Sequence, residues 1–498
     1  MGKTRSVLTQ SGRVINEAVS FIAFSILDLL DFLLCFLYKV VDLFVEADWK
    51  PCYCSSGKEA ITNSGKILVS EQGESKIVCL SSSKLHLEDI SDTLYSRPSL
   101  LSEVSKLTVS ELKRLKLDGN YLNGEKMIKT SKASNTVRTS TFTINSTIVE
   151  MLQGKIGRQQ LRPIPRWSDC DCQLCTSWVS STCTNGKGTL FVRAEAPGPG
   201  PGSGSGSGSR DKAAREDVIF IHGFISSSSF WTETLFPNFS REAKSSYRLF
   251  AVDLLGFGRS PKPADSLYTL REHLDMIERS VLEAHKVKSN FHIVAHSLGC
   301  IVALALAVKH PQSVKSLTLL APPYYPVPKG EQATQYVMRR IAPRRVWPPI
   351  AFGASLACWY EHISRTICLL ICKNHRLWEF LTKLVTRNRV RTFLLEGFFC
   401  HTHNAAWHTL HNIICGTAGK LEGYLDTVRE YLNCSVTIFH GKDDELIPVE
   451  CSYNVQKRIP RAHVKVIENK DHITIVVGRQ KAFARELEEI WSNSTNSS

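Results

Sequence analysis

Three side chains far apart in the chain, Ser297, Asp444 and His472, have the types and the order that nucleophilic acyl transfer needs. Ser297 lies in FHIVAHSLGC, residues 291–300, where an apolar β-rich run ends at the serine and Gly299 follows two residues on. The pattern is G-x-S-x-G with Ala295 in place of the first glycine. A serine on a sharp strand-to-helix turn takes strained backbone angles, so the residues two positions away must be small, and alanine adds only one methyl. HGKDDELIP puts an acid at the end of a late strand; counting G-x-x-D from Gly441 selects Asp444 and leaves Asp443 as a solvated neighbour. KDHITIVV supplies His472 after the last β-rich run. In that arrangement His472 takes the Ser297 proton as the serine attacks an ester carbonyl. Asp444 fixes the imidazole tautomer, and water or another alcohol releases the acyl group.

These residues need a scaffold that brings strand ends together. DVIFIHG (from Asp217), RLFAVDL (from Arg248), FHIVAH (from Phe291), VKSLTLLA (from Val314), SVTIFHG (from Ser435) and AHVKVIE (from Ala462) are short β-rich runs. Helical segments such as LREHLDMIERSVLEAHKV and LGCIVALALAVKH follow most of them. Buried apolar strands alternating with amphipathic helices predict a mostly parallel α/β sheet, whose site forms at the carboxyl ends of the strands. The expected core covers residues 211–321 and 433–491. HGFISSSSFW begins at the end of the first strong strand, and His222-Gly223 matches the oxyanion-loop signature of α/β-hydrolases. The backbone N–H groups of Phe224 and Leu298 are then the expected oxyanion donors.

Between the fourth and fifth of these six runs the alternation stops, and residues 322–432 read as a helical cap. From Pro322 to Cys400 twelve Lys and Arg, among them Arg339, Arg340, Arg344, Arg345, Arg387, Arg389 and Arg391, face four Glu and no Asp. The resulting +8 is more than half of the chain's formal net charge of +14. Apolar stretches such as VWPPIAFGASLACWY are interleaved, so one face can hold an acyl chain while the basic face meets anionic headgroups or wall polymers. A solvated basic surface is the plainer reading for any single arginine. His401, His403, His408 and His411 lie in the cap without an acidic or cysteine partner at obvious spacing, so no metal and no other cofactor is expected. Nucleic-acid binding has no supporting motif. Serine at the nucleophile position disfavours epoxide-hydrolase chemistry, and no histidine has an aspartate five residues on, as an H-x4-D acyltransferase motif requires.

The remaining segments say less. Residues 1–50 hold an apolar run from Ala18 to Val45, long enough to span a bilayer and interrupted by Asp28, Asp31, Lys39 and Asp42 on one narrow helical stripe. A membrane anchor, a cleaved signal peptide and a helix packed on the protein or at an interface all fit it. MGKTRS matches a myristoylation pattern at Gly2, and Cys52 is a candidate acylation site just beyond the run. Residues 51–185 are a low-signal extension; Cys170, Cys172, Cys175 and Cys183 there admit a disulfide pair, a zinc site or free thiols. APGPGPGSGSGSGSR, from Ala196 to Arg210, has no side chains to build a core and reads as a flexible linker or loop. Sequons at Asn145, Asn238, Asn433, Asn493 and Asn496 agree with passage through the secretory pathway.

From about Val218 to Trp491 the chain resembles α/β-hydrolases of the esterase, lipase and epoxide-hydrolase group, through DLLGFGRSPKP, AHSLG, LLAPPYY and GKDDELIP. More closely, RWSDCDCQLCTSW, HGFISSSSFWTETLFPNFS, YVMRRIAP, WYEHISRT, EGFFCHTHNAAWHTLHNI and DHITIVVGRQKAFARELEEIW resemble the plant BODYGUARD proteins, a likeness that extends to ISDTLYSRPSLL and the hydrophobic N-terminus. The resemblance implies a lysophospholipase-like or cutin-related esterase at the cell membrane or cell wall of the epidermis, needed for cuticle formation. The partners expected are a lipid ester and a membrane or wall surface. Acyl transfer to a lipid alcohol uses the same three residues, and a lipid-binding or signalling module on a hydrolase fold is the alternative from another class.

Overall fold

The computed structural model describes residues 2–45, 188–195, 216–263, 266, 268–287 and 290–495. Cys52, Asn145, Cys170, Cys172, Cys175, Cys183, the 196–210 stretch and Asn496 lie outside them. The chain divides into two compact units, Met1–Phe24 with Ile164–Ser498 and, separately, Ser25–Pro163. Helix α1, Gly2–Val45, contributes to both. In the second unit its described part carries Phe32 edge-on to Phe36, ring centroids 5.0 Å apart.

The larger unit is built on seven strands: β1 Val192–Glu195, β2 Glu216–Ile221, β3 Tyr247–Val252, β4 Phe291–His296, β5 Val314–Leu320, β6 Ser435–Gly441 and β7 His463–Ile467. Their order across the sheet is β1-β3-β2-β4-β5-β6-β7. All neighbours are parallel except β1, which runs antiparallel along β3 and pairs Val192 with Val252. This is the mostly parallel sheet expected from the alternating strands and helices, in the α/β-hydrolase arrangement that the resemblance implied. The six apolar runs are its parallel strands; β1 is an addition, a four-residue edge strand, VRAE, in which half of the residues are charged.

Alternation along β2 shows why its run is continuously apolar. Ile219 and Ile221 enter the core on one face with Leu298, Val302 and Leu306. Val218 and Phe220 enter the core on the other with Trp231, Phe483 and Trp491. Helices cover both faces, so both sets of side chains must be hydrophobic. Helix α2, Leu270–Ile277, opens with a capping box in which Thr269 and Glu272 satisfy each other's backbone groups. Helix α3, Leu298–Lys309, is buried from Leu298 to Ala307, which explains its lack of a polar face.

Chain order reverses at β2: the chain passes to β3 on one side, then crosses to β4 on the other. Such a switch point opens a crevice at the carboxyl ends of β2 and β4. Register fixes which residues reach that rim. Ile221 lies opposite Ala295, His296 opposite Leu320, and Leu320 opposite Phe439, so His222 emerges level with His296, and Ser297 and Ala321 follow one residue further out on the same rim.

At the opposite, amino-terminal end, Glu216 accepts hydrogen bonds from His292 Nε2 at 3.0 Å and Lys315 Nζ at 2.5 Å. Burial works to raise this carboxyl, but the bonds from His292 and Lys315 outweigh it and hold the group at about 2. A carboxylate with a depressed pKa contributes its stability above the unfolded value and loses it as pH falls. Glu216→Gln should therefore melt lower than the native protein near neutrality. The gap should close as the pH is taken from about 5 towards 2 in a series of thermal melts.

Candidate active site

Ser297 sits one residue past β4 with φ 53° and ψ −122°, a backbone conformation that costs a non-glycine residue roughly 1–3 kcal/mol. Its amide donates to Leu320 O at 2.8 Å, and its carbonyl accepts from Cys300 N at 2.9 Å. The turn is thereby tied to β5 behind it and to α3 ahead. Gly299 is required by close approach: a Cβ there would come within 2.6 Å of His222 O and 2.7 Å of Ile221 O, both backbone atoms. Ala295 is fully buried in the strand, where its methyl is part of the core. Gly299→Ala should destabilise the fold by roughly 1–3 kcal/mol through overpacking, whereas Ala295→Gly should cost about 1 kcal/mol or less, read from denaturant midpoints.

The loop after β2 folds back onto this turn. A Cβ on Gly223 would meet Ser297 Cβ at 3.1 Å, so the Gly223–Phe224 peptide runs directly beside the serine. His222 is fully buried, and burial lowers its pKa, keeping the ring neutral. Nδ1–H donates to Gly223 O at 2.7 Å while Nε2 accepts from Leu254 N at 2.9 Å, which fixes one tautomer. Holding the Gly223 carbonyl towards His222 turns the N–H of the same planar peptide, that of Phe224, the other way. Leu298 N–H begins α3. Among the described residues neither amide donates to another backbone group. Asp253, buried after β3, clamps the loop further by accepting from Ser228 N and, at 2.7 Å, from Arg259 N.

At the other end of the rim, His472 Nδ1 donates to Asp444 Oδ2 at 2.6 Å. Asp444 Oδ1 accepts from the amides of Leu446 and Ile447, each at 2.9 Å. Burial would raise this carboxyl, but hydrogen bonds from His440 and His472 and from the Ile447 amide hold it well below the usual carboxylate range. Asp443 is exposed, and its side chain makes none of these bonds. Gly441 lets the two loops meet, since a Cβ there would lie 2.4 Å from Lys470 O and 2.7 Å from Asp471 O.

Two further histidines join the loops, and neither is visible from sequence spacing. His296 Nε2 donates to His472 O at 2.9 Å, and its ring stacks on Phe230 at 5.1 Å and 14°. Burial, with His472 beside it, pushes His296 down to about 3, so it stays neutral. As the residue before Ser297, it links the serine turn to the His472 loop. On β6, His440 Nε2 donates to Ile447 O at 2.8 Å and lies 3.5 Å from Asp444 Oδ2, while Nδ1 accepts from Ser452 Oγ at 2.6 Å.

Between β5 and β6 the chain forms helices α4 Ala333–Ile341, α5 Pro349–Trp359, α6 Glu361–Lys373, α7 His375–Val385, α8 Thr392–Phe399, α9 His403–Thr409 and α10 Leu421–Tyr431. Small residues carry this insertion onto the rim loops. Gly397 of α8 lies against Ser226, where a Cβ would be 3.3 Å from Ser226 Cα. Ala405 of α9 fills the space beside Gly256, after β3. The four insertion histidines do not converge on one point: His403 faces Cys368, His408 is buried and pushed by burial to about 3, and His411 lies between the carbonyls of Trp407 and Cys358. His401 does meet cysteines, with Cys368 Sγ at 3.6 Å and Cys372 Sγ at 3.9 Å from Nε2, which the separation in sequence had hidden. Among the described residues no group of three or more His, Cys, Asp or Glu is arranged to hold a metal ion. Of the sequons, Asn433 and Asn493 are exposed, while Asn238 is half-buried and bonded to Thr234 O at 2.6 Å.

A sequence profile for the alpha/beta hydrolase fold matches residues 218–347, from β2 into the insertion. Over 509 residues the chain is 60% identical to a protein of Arabidopsis thaliana described as probable lysophospholipase BODYGUARD 3, with 99% of each chain covered. It is 58% identical to probable lysophospholipase BODYGUARD 1 and 57% identical to BODYGUARD 2 of the same plant, with 97% of this chain covered in both cases. The matched lengths take in the extension, the hydrolase core and the insertion, and the chain belongs to the BODYGUARD family of α/β-hydrolases.

Proposed function

We propose that this protein is a serine hydrolase of long-chain lipid esters, with Ser297 as nucleophile, His472 as general base and Asp444 as the group that orients it. The observation that carries this reading is the strained Ser297 turn at the same strand-end rim as the buried His472–Asp444 pair. With Nδ1–H committed to Asp444, His472 presents Nε2 as the proton acceptor. As Ser297 Oγ bonds to the ester carbonyl carbon, its proton passes to Nε2 and the carbonyl electrons move onto oxygen. The Phe224 and Leu298 N–H groups stabilise that oxyanion. Collapse expels the alcohol, which takes the proton from His472, and water repeats the sequence on the acyl-enzyme. No cofactor takes part in this sequence.

The insertion acts as a cap whose apolar stretches hold the acyl chain. The description of the relatives as probable lysophospholipases supports a lysophospholipid as substrate. The BODYGUARD resemblance supports a place in cuticle formation at the epidermal membrane or wall. Labelling with a fluorophosphonate tests the chemistry: native protein should label, and Ser297→Ala should not. Equal labelling of the two would overturn the assignment. A panel of lysophospholipids and cutin-type esters, run with and without a competing lipid alcohol, then separates hydrolysis from acyl transfer by the products formed.

A further inference from the structure

Among the described residues, helix α1 meets the insertion along a stripe of its surface. Asn16, Ser20 and Phe24 recur every fourth residue and therefore share a face. Ser20 and Phe24 are buried, while Val14, Ile15, Val19, Phe21 and Ile22 around them stay exposed. The stripe sits on the insertion between Arg344 and Tyr360. Asn16 Nδ2 donates to Trp347 O at 3.4 Å, Ser20 Oγ accepts from Val346 N at 3.0 Å, and Tyr360 OH donates to Phe24 O at 3.2 Å. The Phe24 ring stacks on Tyr360 at 6.1 Å and 19° and meets Phe352 edge-on at 6.0 Å. Arg344 closes the contact, its guanidinium 5.1 Å from the Phe24 ring centre and its Nη2 donating to the Tyr360 hydroxyl at 2.8 Å.

A cleaved leader needs only bulk hydrophobicity, and a helix surrounded by lipid gains nothing from a serine bonded to a distant backbone amide. This stripe instead has the marks of a permanent joint: spaced side chains, satisfied polar groups and an arginine sandwiched by aromatic rings. Outside it, the span Val14–Tyr38 is apolar and long enough to cross a membrane. Trp347, 67% exposed beside the joint, has the amphipathic ring that settles at headgroup depth. Elsewhere on the insertion, the end of α7 exposes Leu384 and Val385, followed at once by exposed Arg387, Arg389 and Arg391. An apolar tip with a cationic collar fits an anionic bilayer surface.

We propose that α1 is retained in the mature protein as a brace that grips the insertion through Asn16, Ser20 and Phe24 and seats it on an anionic lipid bilayer. The consequence for activity rests on the hydrolase reading: ester substrates enter from the bilayer under an insertion held at its surface. The joint itself is tested without turnover. Full-length protein carrying the photo-crosslinker p-benzoylphenylalanine at position 24 should, on illumination with vesicles, join to peptides within residues 344–360. A mature chain that begins beyond residue 45, or crosslinks that never reach the insertion, would overturn the brace. Sedimentation with phosphatidylcholine vesicles containing about 30% phosphatidylglycerol should show binding, and Val385→Glu with Arg387→Glu should weaken it about tenfold. Binding indifferent to anionic lipid would overturn the bilayer seat. Arg344→Ala should lower hydrolysis of vesicle-borne lysophospholipid about fivefold or more, with a water-soluble short-chain ester changed less than about twofold. If native protein cleaves neither ester, the hydrolase reading fails while the crosslink still decides the brace.

Discussion

Ser297→Ala is expected to lower ester turnover by roughly four to six orders of magnitude, the range seen when a serine nucleophile is removed from an intact site. The fold should be unaffected. Alanine keeps the Cβ that lies beside Gly223, and the turn is held by the backbone bonds of residue 297 to Leu320 and Cys300 rather than by its hydroxyl. A melting temperature within about 2 °C of the native value would show that the loss is chemical. Substantial turnover by a folded S297A would remove the serine mechanism. Restoration of a loss-of-function plant by the same variant would point to ligand capture instead.

The second large effect separates two adjacent acids. Asp444→Asn should lower kcat by about 10⁴, because the amide reverses the polarity of one bond. Two backbone amides, of Leu446 and Ile447, demand an acceptor at Oδ1, so the asparagine oxygen stays there and its NH₂ faces His472 Nδ1. His472 must then accept at Nδ1 and carry its proton on Nε2, where it cannot receive one from Ser297. Asp443→Asn, at an exposed position, should leave kcat within about twofold. Steady-state kinetics on the two variants decides the matter, and equal losses would show that the loop rather than the tautomer is at fault.

Much of the fold was readable in advance because burial on both faces leaves unmistakable apolar runs. Val218 to Ile221 and Ile293 to Ala295 have no solvent side to vary. β1 escaped notice for the opposite reason: VRAE lies at the sheet edge, half exposed, beside a Pro/Gly/Ser stretch. Two π-helical segments, Glu278–Glu283 and Leu410–Cys415, were also invisible, since one extra residue per turn has no residue signature. At the site, Ser297 and Asp444 were marked by glycines at fixed offsets, and His472 by its place after the last β-rich run. Gly299 and Gly441 mark backbones that nearly touch, which is a property of the chain and so is written in it. His296 bonds a residue far along the chain, while His440 and Asp253 bond nearer loop residues at no fixed spacing, and a histidine inside a strand looks like any other buried ring. The grip of α1 on the insertion was hidden in the same way, because its partners lie more than three hundred residues away.

The insertion touches the rim loops through Gly397 and Ala405, which have almost no side chain to lose, while its last helix, α10, packs into the same core as α3 through Leu421, Leu425 and Val428. Sequence drift at the exposed positions of α4 to α9 can therefore reshape what is admitted, whereas α10 is bound to the core that holds the reacting atoms where they are. Duplicated copies of such a gene are free to diverge in diet before they diverge in chemistry.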